Sequence, residues 1–312
     1  MRRRARLLFP TLSVVVAITA AACARDVAPT PISDAAYQTA YAKHLATRSA
    51  SLVTAGKPKS FTGLRWLKPG VTTIGSDSTN NVVLVGRDVP AKVGTLTRDG
   101  FKVRFDIAPG VTTLVDSTPG VSRELATDAA GTATRVDVGT AGFRIVKRVD
   151  SIGVRMWDAD RATMTGIEPL AYFKRDMKWR LGGKFTRRAK PDTIAVPTAS
   201  GVAEEHIDVG TIAINVEGTP YQLTAFAGTG PTDLFITFSD ASSGEETYGF
   251  RFVHAPLDTV TNIAVVDFNF AYNPDCAFSA YTTCPLPPAS NRLAPKILAG
   301  EKIVVHTTAA KP

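Results

Sequence analysis

The chain is poor in the residue types from which most catalytic and metal sites are built. Its 312 residues include only three cysteines, four histidines and three tryptophans. Zinc sites normally gather Cys-x2-4-Cys pairs and two further ligands. Cys276 and Cys284 are separated by seven intervening residues, with only His254 to serve as a third ligand. No metal and no other cofactor is therefore expected. None of His44, His206, His254 and His306 shares a motif with Ser243, and "ASSGEE" lacks the Gly-x-Ser-x-Gly elbow, which argues against a serine hydrolase. The apolar run Leu7–Ala22 spans 16 residues, short of the roughly 20 that a spanning helix needs. A basic excess is also smaller than it looks. Residues 1–22 hold four arginines and no acid, so without them the formal charge falls from +8 to +4, and no nucleic-acid partner is inferred.

What is present begins with an export signal. Met1-Arg-Arg-Arg-Ala-Arg6 is a basic start, Leu7–Ala22 an apolar middle, and Ala20-Ala21-Ala22 precede Cys23 with small side chains. Ala20-Ala21-Ala22-Cys23 resembles the lipobox of bacterial lipoproteins, with alanine where leucine is usual. The resemblance implies a signal peptide over 1–22, lipidation of Cys23 and a membrane partner reached through the acyl chains. Each buried methylene would contribute about 0.8 kcal/mol. Ala24 stands where an aspartate would retain the protein at the inner membrane, so the expected location is the cell envelope, at the periplasmic face of an outer membrane where there is one.

Residues 23–32, "CARDVAPTPI", read as a proline-containing tether. Residues 33–55 read as a helix. Ser33 or Asp34 can cap it, Tyr37, Tyr41, His44, Leu45 and Leu52 recur at helical spacing, and Gly56 and Pro58 end it. Beyond Phe61 the period changes to two. Short β-branched runs such as "NNVVLVG", "FKVRFD", "TIAINV" and "DLFITF" are divided by Gly, Asp, Asn and Pro, and apart from a short turn within Arg161–Lys174 no helical pattern returns. Asp99-Gly100 and Glu217-Gly218 are tight-turn signals. The expected fold is mainly β: antiparallel sandwich- or barrel-like subdomains with one N-terminal helix, divided into 56–142 and 143–312. "TTIGSDSTNNVVL" (72–84) resembles the opening of a forkhead-associated sandwich. Ser76 follows Gly75 where that family has an arginine, and its later Ser-x-x-His is missing, so phosphopeptide binding is not implied.

Several polar positions are candidates for ligand contact. In "SDASSGEETYGFRF" a strand, a turn at Gly244 and a return strand would set Tyr248 and Phe250 on one face and Arg251 on the other. Arg251 beside Asp240 and Ser243 could clamp an anionic ligand group, or could pair with Asp240 structurally. In "VVDFNFAYNP", Asp267 and Asn269 would share one strand face and Phe268 and Phe270 the other, with Tyr272 and Asn273 leading into an Asn-Pro turn. Arg148, Arg155, Asp158 and Asp160 can line an anion site or simply cover a sheet. Cys276 and Cys284, in an exported chain, are expected to form a disulfide worth about 2.6 kcal/mol on the chain-entropy model.

Four blocks together resemble the bacterial and archaeal family called domain of unknown function 1684: "GLRWLKPGVTTIGSDSTNNVVL" (63–84), "FRIVKRVDSIGVRMWDAD" (143–160), "LFITFSDASSGEETYGFRF" (234–252) and "VVDFNFAYNPDCAFSAYTTCPLPPASNRL" (265–293). Asp275 replaces a usual second proline, and Phe270 a common basic residue. The family transfers no activity. Its members without an export signal keep the cysteine pair, which leaves a redox or binding role for Cys276 and Cys284 open beside the staple. The reading is a membrane-anchored envelope lipoprotein that acts as a small-molecule or structural binding module. Its polar cleft is built from Asp240, Ser243, Tyr248, Arg251, Asp267, Asn269, Tyr272 and Asn273. The alternative is a hydrolase using Asp240 and Asp267 with Arg251.

Overall fold

The computed structural model describes residues 27–161 and 169–306. The expected signal peptide and Cys23 lie outside the described residues, as does most of the short turn anticipated after Arg161. Helix α1 runs over Asp34–Val53, with Ser33 Oγ accepting from the Ala36 amide at 3.3 Å as the cap. Only Tyr37, Arg48 and Leu52 of this helix are buried, so the helix lies on the surface of the body and is held through three side chains.

The first β unit is a two-sheet sandwich. In chain order its strands are β1 (Phe61–Trp66), β2 (Gly70–Gly75), β3 (Val82–Val83), β4 (Gly94–Asp99), β5 (Lys102–Ile107), β6 (Leu114–Val115), β7 (Thr118–Pro119), β8 (Arg123–Leu125), β9 (Arg135–Val138), β10 (Ala141–Arg148) and β11 (Ser151–Asp158). One sheet has the order β1-β11-β10-β9-β6-β7 and the other β3-β2-β4-β5-β8. Ile74, Leu96 and Phe105 of the second sheet pack against Phe143, Ile152 and Val154 of the first. The Phe105 and Phe143 rings meet edge to face at 5.3 Å. The β4–β5 hairpin turns where the sequence predicts, with Gly100 at φ +56°. The unit runs to Asp158 rather than stopping at 142. β10 closes against both β9 and β11, and a cut at residue 142 would split one sheet.

The second unit is a closed barrel of β12 (Arg180–Pro197), β13 (Ala203–Val216), β14 (Thr219–Ala227), β15 (Asp233–Phe238), β16 (Arg251–Asp258) and β17 (Ile263–Asp267), with β12 pairing to β17 to complete the ring. Alternate residues fill it: Ile212 and Ile214 from β13, Leu223 and Ala225 from β14, Leu234, Ile236 and Phe238 from β15. Residues 268–306 then cross the barrel as an irregular strap, tied down by single bridges such as Tyr272 to Phe252 and Arg292 to Ser239.

Two strand readings are corrected. β17 ends at Asp267, and Phe268–Phe270 form a 3-10 turn whose N-cap is the Asp267 side chain, accepting from the Asn269 amide at 3.1 Å. Asp267 and Asn269 are therefore not neighbours on a strand face. The carboxylate draws the next amide into a turn instead. Likewise β16 begins only at Arg251. Residues 239–250 form a loop around Gly244, at φ +86°, rather than a tight hairpin.

Candidate ligand site between the helix and the barrel

The sequence-predicted polar residues divide into two groups. Asp240 and Arg251 face each other in the interior: Arg251 is fully buried and its Nη2 donates to Asp240 Oδ2 at 2.7 Å. Nη1 donates to the Ala299 carbonyl and Nη2 also to that of Ile297, Nε is buried with no acceptor among the described residues, and Asp240 Oδ1 accepts from the Ser242 amide and hydroxyl and the Ile297 amide. Ser243 Oγ caps the Asp240 amide at 3.0 Å. Asn269 and Asn273 are buried as well, Asn269 holding the Asp176 backbone and Asn273 the Lys302 carbonyl. Tyr248 donates to the Cys276 carbonyl at 3.4 Å. These side chains lock the 239–250 loop and the strap to the barrel.

Asp267 and Tyr272 do something different, because both line a cavity of about 290 Å³ beneath α1. Its walls are mostly apolar, from Ile32, Ala40, Pro256, Val265 and Phe270, and its polar groups are Tyr37, His44, Arg180, His254, Asp267 and Tyr272. A second recess shares Ala40, His44, His254 and Tyr272 and continues along the helix to Lys43, Thr47 and Arg48. The helix supplies one wall of both because Tyr37, Ala40, His44 and Arg48 recur every three or four residues and so face the barrel together.

At one end Tyr37 donates its hydroxyl to Asp267 Oδ2 at 2.9 Å, and Arg180 Nε lies 3.7 Å from the same oxygen. Burial still raises the Asp267 carboxyl above the usual range, and the donors of Asn269 and Tyr37 work against that shift. At the other end His254 joins two strands and the strap. Its Nδ1 lies 2.9 Å from Asp233 Oδ2 and its Nε2 3.0 Å from Tyr272 Oη. The carboxylate can only accept, so Nδ1 carries a proton, and Nε2 is left to the Tyr272 hydroxyl. His44 also lines the cavity, its Nε2 buried without a hydrogen-bond partner among the described residues. Burial, helped by the nearby Arg48 charge, pushes its pKa down to about 4, so at neutral pH it is an uncharged imidazole with an unused ring nitrogen.

Arg48 locks the helix. Its Nε donates to Glu301 Oε1 at 2.7 Å, its Nη2 to the Asn273 carbonyl at 2.6 Å, and its guanidinium carbon sits 5.0 Å from the Tyr272 ring centroid. His44, Arg48, Arg180, Asp233, His254 and Glu301 were not among the residues picked out for the site. The available signal was that His44 and Arg48 stand four apart on the apolar side of α1, where a surface helix has no reason to bury charge.

Cys276 and Cys284 are free thiols, so the expected disulfide is not formed in the structure. Their loop is held instead by arginines of the sandwich, Arg155 Nε donating to the Tyr281 carbonyl at 2.9 Å and Arg148 Nε to Thr283 Oγ1 at 2.6 Å. The Cys276 amide donates to Cys284 Sγ at 3.1 Å. A hydrogen bond from Cys284 holds the Cys276 thiol below its ordinary range, and the same contact together with burial pushes Cys284 up. Among the described residues no group of three or more His, Cys, Asp or Glu side chains is placed to hold a metal ion.

The chain is thus a two-sheet sandwich followed by a closed barrel whose helix-covered cavity has apolar walls and a few polar groups. Residues 165–302 match the model of the family described as Protein of unknown function (DUF1684), and the chain belongs to that family. The match takes in the whole barrel and most of the strap, and leaves the sandwich outside it. The chain is also similar to an uncharacterized protein of Haloarcula marismortui, solved in solution by NMR, at 31% identity over 43% of this chain and 76% of that one, with a TM-score of 0.38. No curated protein matches the chain.

His44 gives the site a pH signature. Its folded pKa of about 4 lies below the ordinary value of 6.5, so between those values the unfolded chain binds the extra proton and stability falls as pH drops. The expected outcome is that urea denaturation of His44→Gln shows a shallower loss of stability from pH 6.5 to 4 than the wild type. Parallel profiles would mean that His44 is hydrated and not buried under the helix.

Proposed function

We propose that the protein binds a small molecule with a largely apolar body in the cavity between α1 and the barrel, and that it does so as a lipid-anchored protein of the cell envelope. The observation that carries the binding reading is the cavity itself: about 290 Å³, walled by Ile32, Ala40, Val265 and Phe270, with Arg180 and Asp267 at one end and His254 with Tyr272 at the other. Apolar walls supply affinity by surface burial, and a few fixed polar groups set orientation. His44 Nε2 offers a hydrogen-bond position that no described residue fills. The hydrolase alternative is less well supported, since Asp267 lines the cavity while Asp240 and Arg251 are engaged with each other.

The anchor rests on Ala20-Ala21-Ala22-Cys23. Tether residues Val27 and Thr30 meet the barrel at Gly182 and Arg180. Val27 is four residues from Cys23, at most about 14 Å of extended chain, so lipidation there would hold the cavity close to the bilayer.

Two measurements test these readings. The probe 1-anilinonaphthalene-8-sulfonate, an aromatic body with one anionic group, is expected to show saturable fluorescence enhancement on the wild type. In Ala40→Trp, which fills the cavity from the helix wall, its affinity should fall at least tenfold. Equal enhancement in both proteins would remove the cavity as the binding site. For the anchor, Cys23→Ser is expected to abolish incorporation of radiolabelled fatty acid and to release the protein from the membrane fraction, and undiminished labelling would overturn the lipidation reading.

A further inference from the structure

The outer face of the six-stranded sandwich sheet carries more positive charge than its surroundings neutralise. Arg144 on β10 stands directly opposite Arg155 on β11 in the antiparallel register, and like charges in that relation repel. Both guanidinium carbons lie over the same ring, that of Phe61, at 5.5 Å and 5.3 Å from its centroid. Arg155 is only 6% exposed. Its Nε donates to the Tyr281 carbonyl, but its Nη2 is buried with no acceptor among the described residues. The half-buried Arg144 side chain makes no hydrogen bond or ion pair with any described residue and lies over the Phe61 ring. Arg148, four residues along the same face, is satisfied by Asp128 at 2.8 Å, Glu204 at 3.6 Å and Thr283. The other charged groups that act on the pair are Arg135, itself bound to Asp137, and Asp275, which is exposed and hydrogen-bonded to neither arginine.

Leaving a buried guanidinium N–H without an acceptor costs about as much as a lost hydrogen bond to a charged group, and a second cation beside it adds to that cost. An apolar or neutral side chain at either position would avoid both. We propose that Arg144 and Arg155 form an oxyanion-binding site at the seam between the sandwich and the 275–284 loop of the second unit. The ligand class is a small oxyanion, phosphate or carboxylate, one of whose oxygens accepts from Arg155 Nη2 while another accepts from the Arg144 fork. Both sources share this geometry. A phosphate group adds charge and a third oxygen, and a carboxylate offers the planar pair alone. The site is independent of the cavity under α1, and occupancy ties the Tyr281-bearing loop to the sheet on which it rests.

The test is thermal unfolding of the full mature chain at pH 7 in sodium phosphate, sodium acetate and sodium chloride at matched ionic strength. Binding to the folded state alone raises the midpoint saturably. The expected result is a saturable rise in phosphate, acetate or both, absent in chloride, with the apparent affinity reduced at least tenfold in Arg144→Gln and unchanged in Arg123→Gln, an exposed arginine of the opposite sheet. A rise in phosphate alone identifies a phosphate site, and a rise in both a general oxyanion site. No saturable rise in either salt, or an equal rise in Arg144→Gln, overturns the proposal. Should Arg144→Gln not fold, the side-chain Nε–H resonance of wild-type Arg155 is followed instead. It should shift on titration with phosphate or acetate, and an unmoved resonance under both is the contrary result.

Discussion

The arrangement depends on one buried ion pair, Arg48 with Glu301. Glu301 is fully buried and Arg48 nearly so, and the pair joins parts of the chain 253 residues apart. Desolvating two charges is expensive, so a contact of this kind is retained only where geometry and extra hydrogen bonds repay the loss. Here they do: Arg48 also donates to the Asn273 carbonyl, and the Asn273 amide donates back to Glu301 Oε2 at 2.8 Å. Helix, turn and strap are thus tied in a single knot of charge. With only Tyr37 and Leu52 buried elsewhere on the helix, removal of either charge would leave its partner stranded in the interior and take away the strongest hold on α1.

The cavity follows from that constraint. Arg48 sets the rotation of the helix, and the rotation turns Tyr37, Ala40 and His44 toward the barrel. Tyr37 then reaches Asp267, the residue that ends the last barrel strand and starts the 3-10 turn. Phe270, carried by that turn, meets Tyr37, Tyr41 and His44 edge to face. Asp267 therefore terminates a strand, receives the helix and borders the cavity with one carboxylate. The cysteine-bearing segment beyond it packs Ala277 and Phe278 against Leu52 of the helix and rests its loop on the arginine face of the sandwich.

Much of the local structure was legible in the sequence because its signals are local. Ser33 as a cap, Gly56 as a stop, and the turns at Asp99-Gly100 and Glu217-Gly218 all lie where short-range stereochemistry puts them. The period-two runs became the strands of a mainly β fold. Barrel closure was not legible, because β12 pairs with β17 some 80 residues later and neither strand carries a mark of its partner. For the same reason the first unit extended beyond 142. At the site, Asp267 and Tyr272 stood out as unusual polar residues in an apolar run, but the partners that give them a setting, Tyr37, Arg180, Asp233 and His254, come from four separate elements. Arg251 and Asp240 looked equally suggestive, and only the fold distinguishes a pair engaged with each other in the interior from residues that line a cavity.

The central claim is that Arg48 and Glu301 hold α1 on the barrel and thereby form the cavity. Native-state hydrogen exchange on Glu301→Gln tests it most directly, since local opening is reported separately from global unfolding. The account predicts that amides of residues 38–53 lose much of their protection while those of β13 and β14 keep theirs. Helix amides as protected in the variant as in the wild type would contradict it.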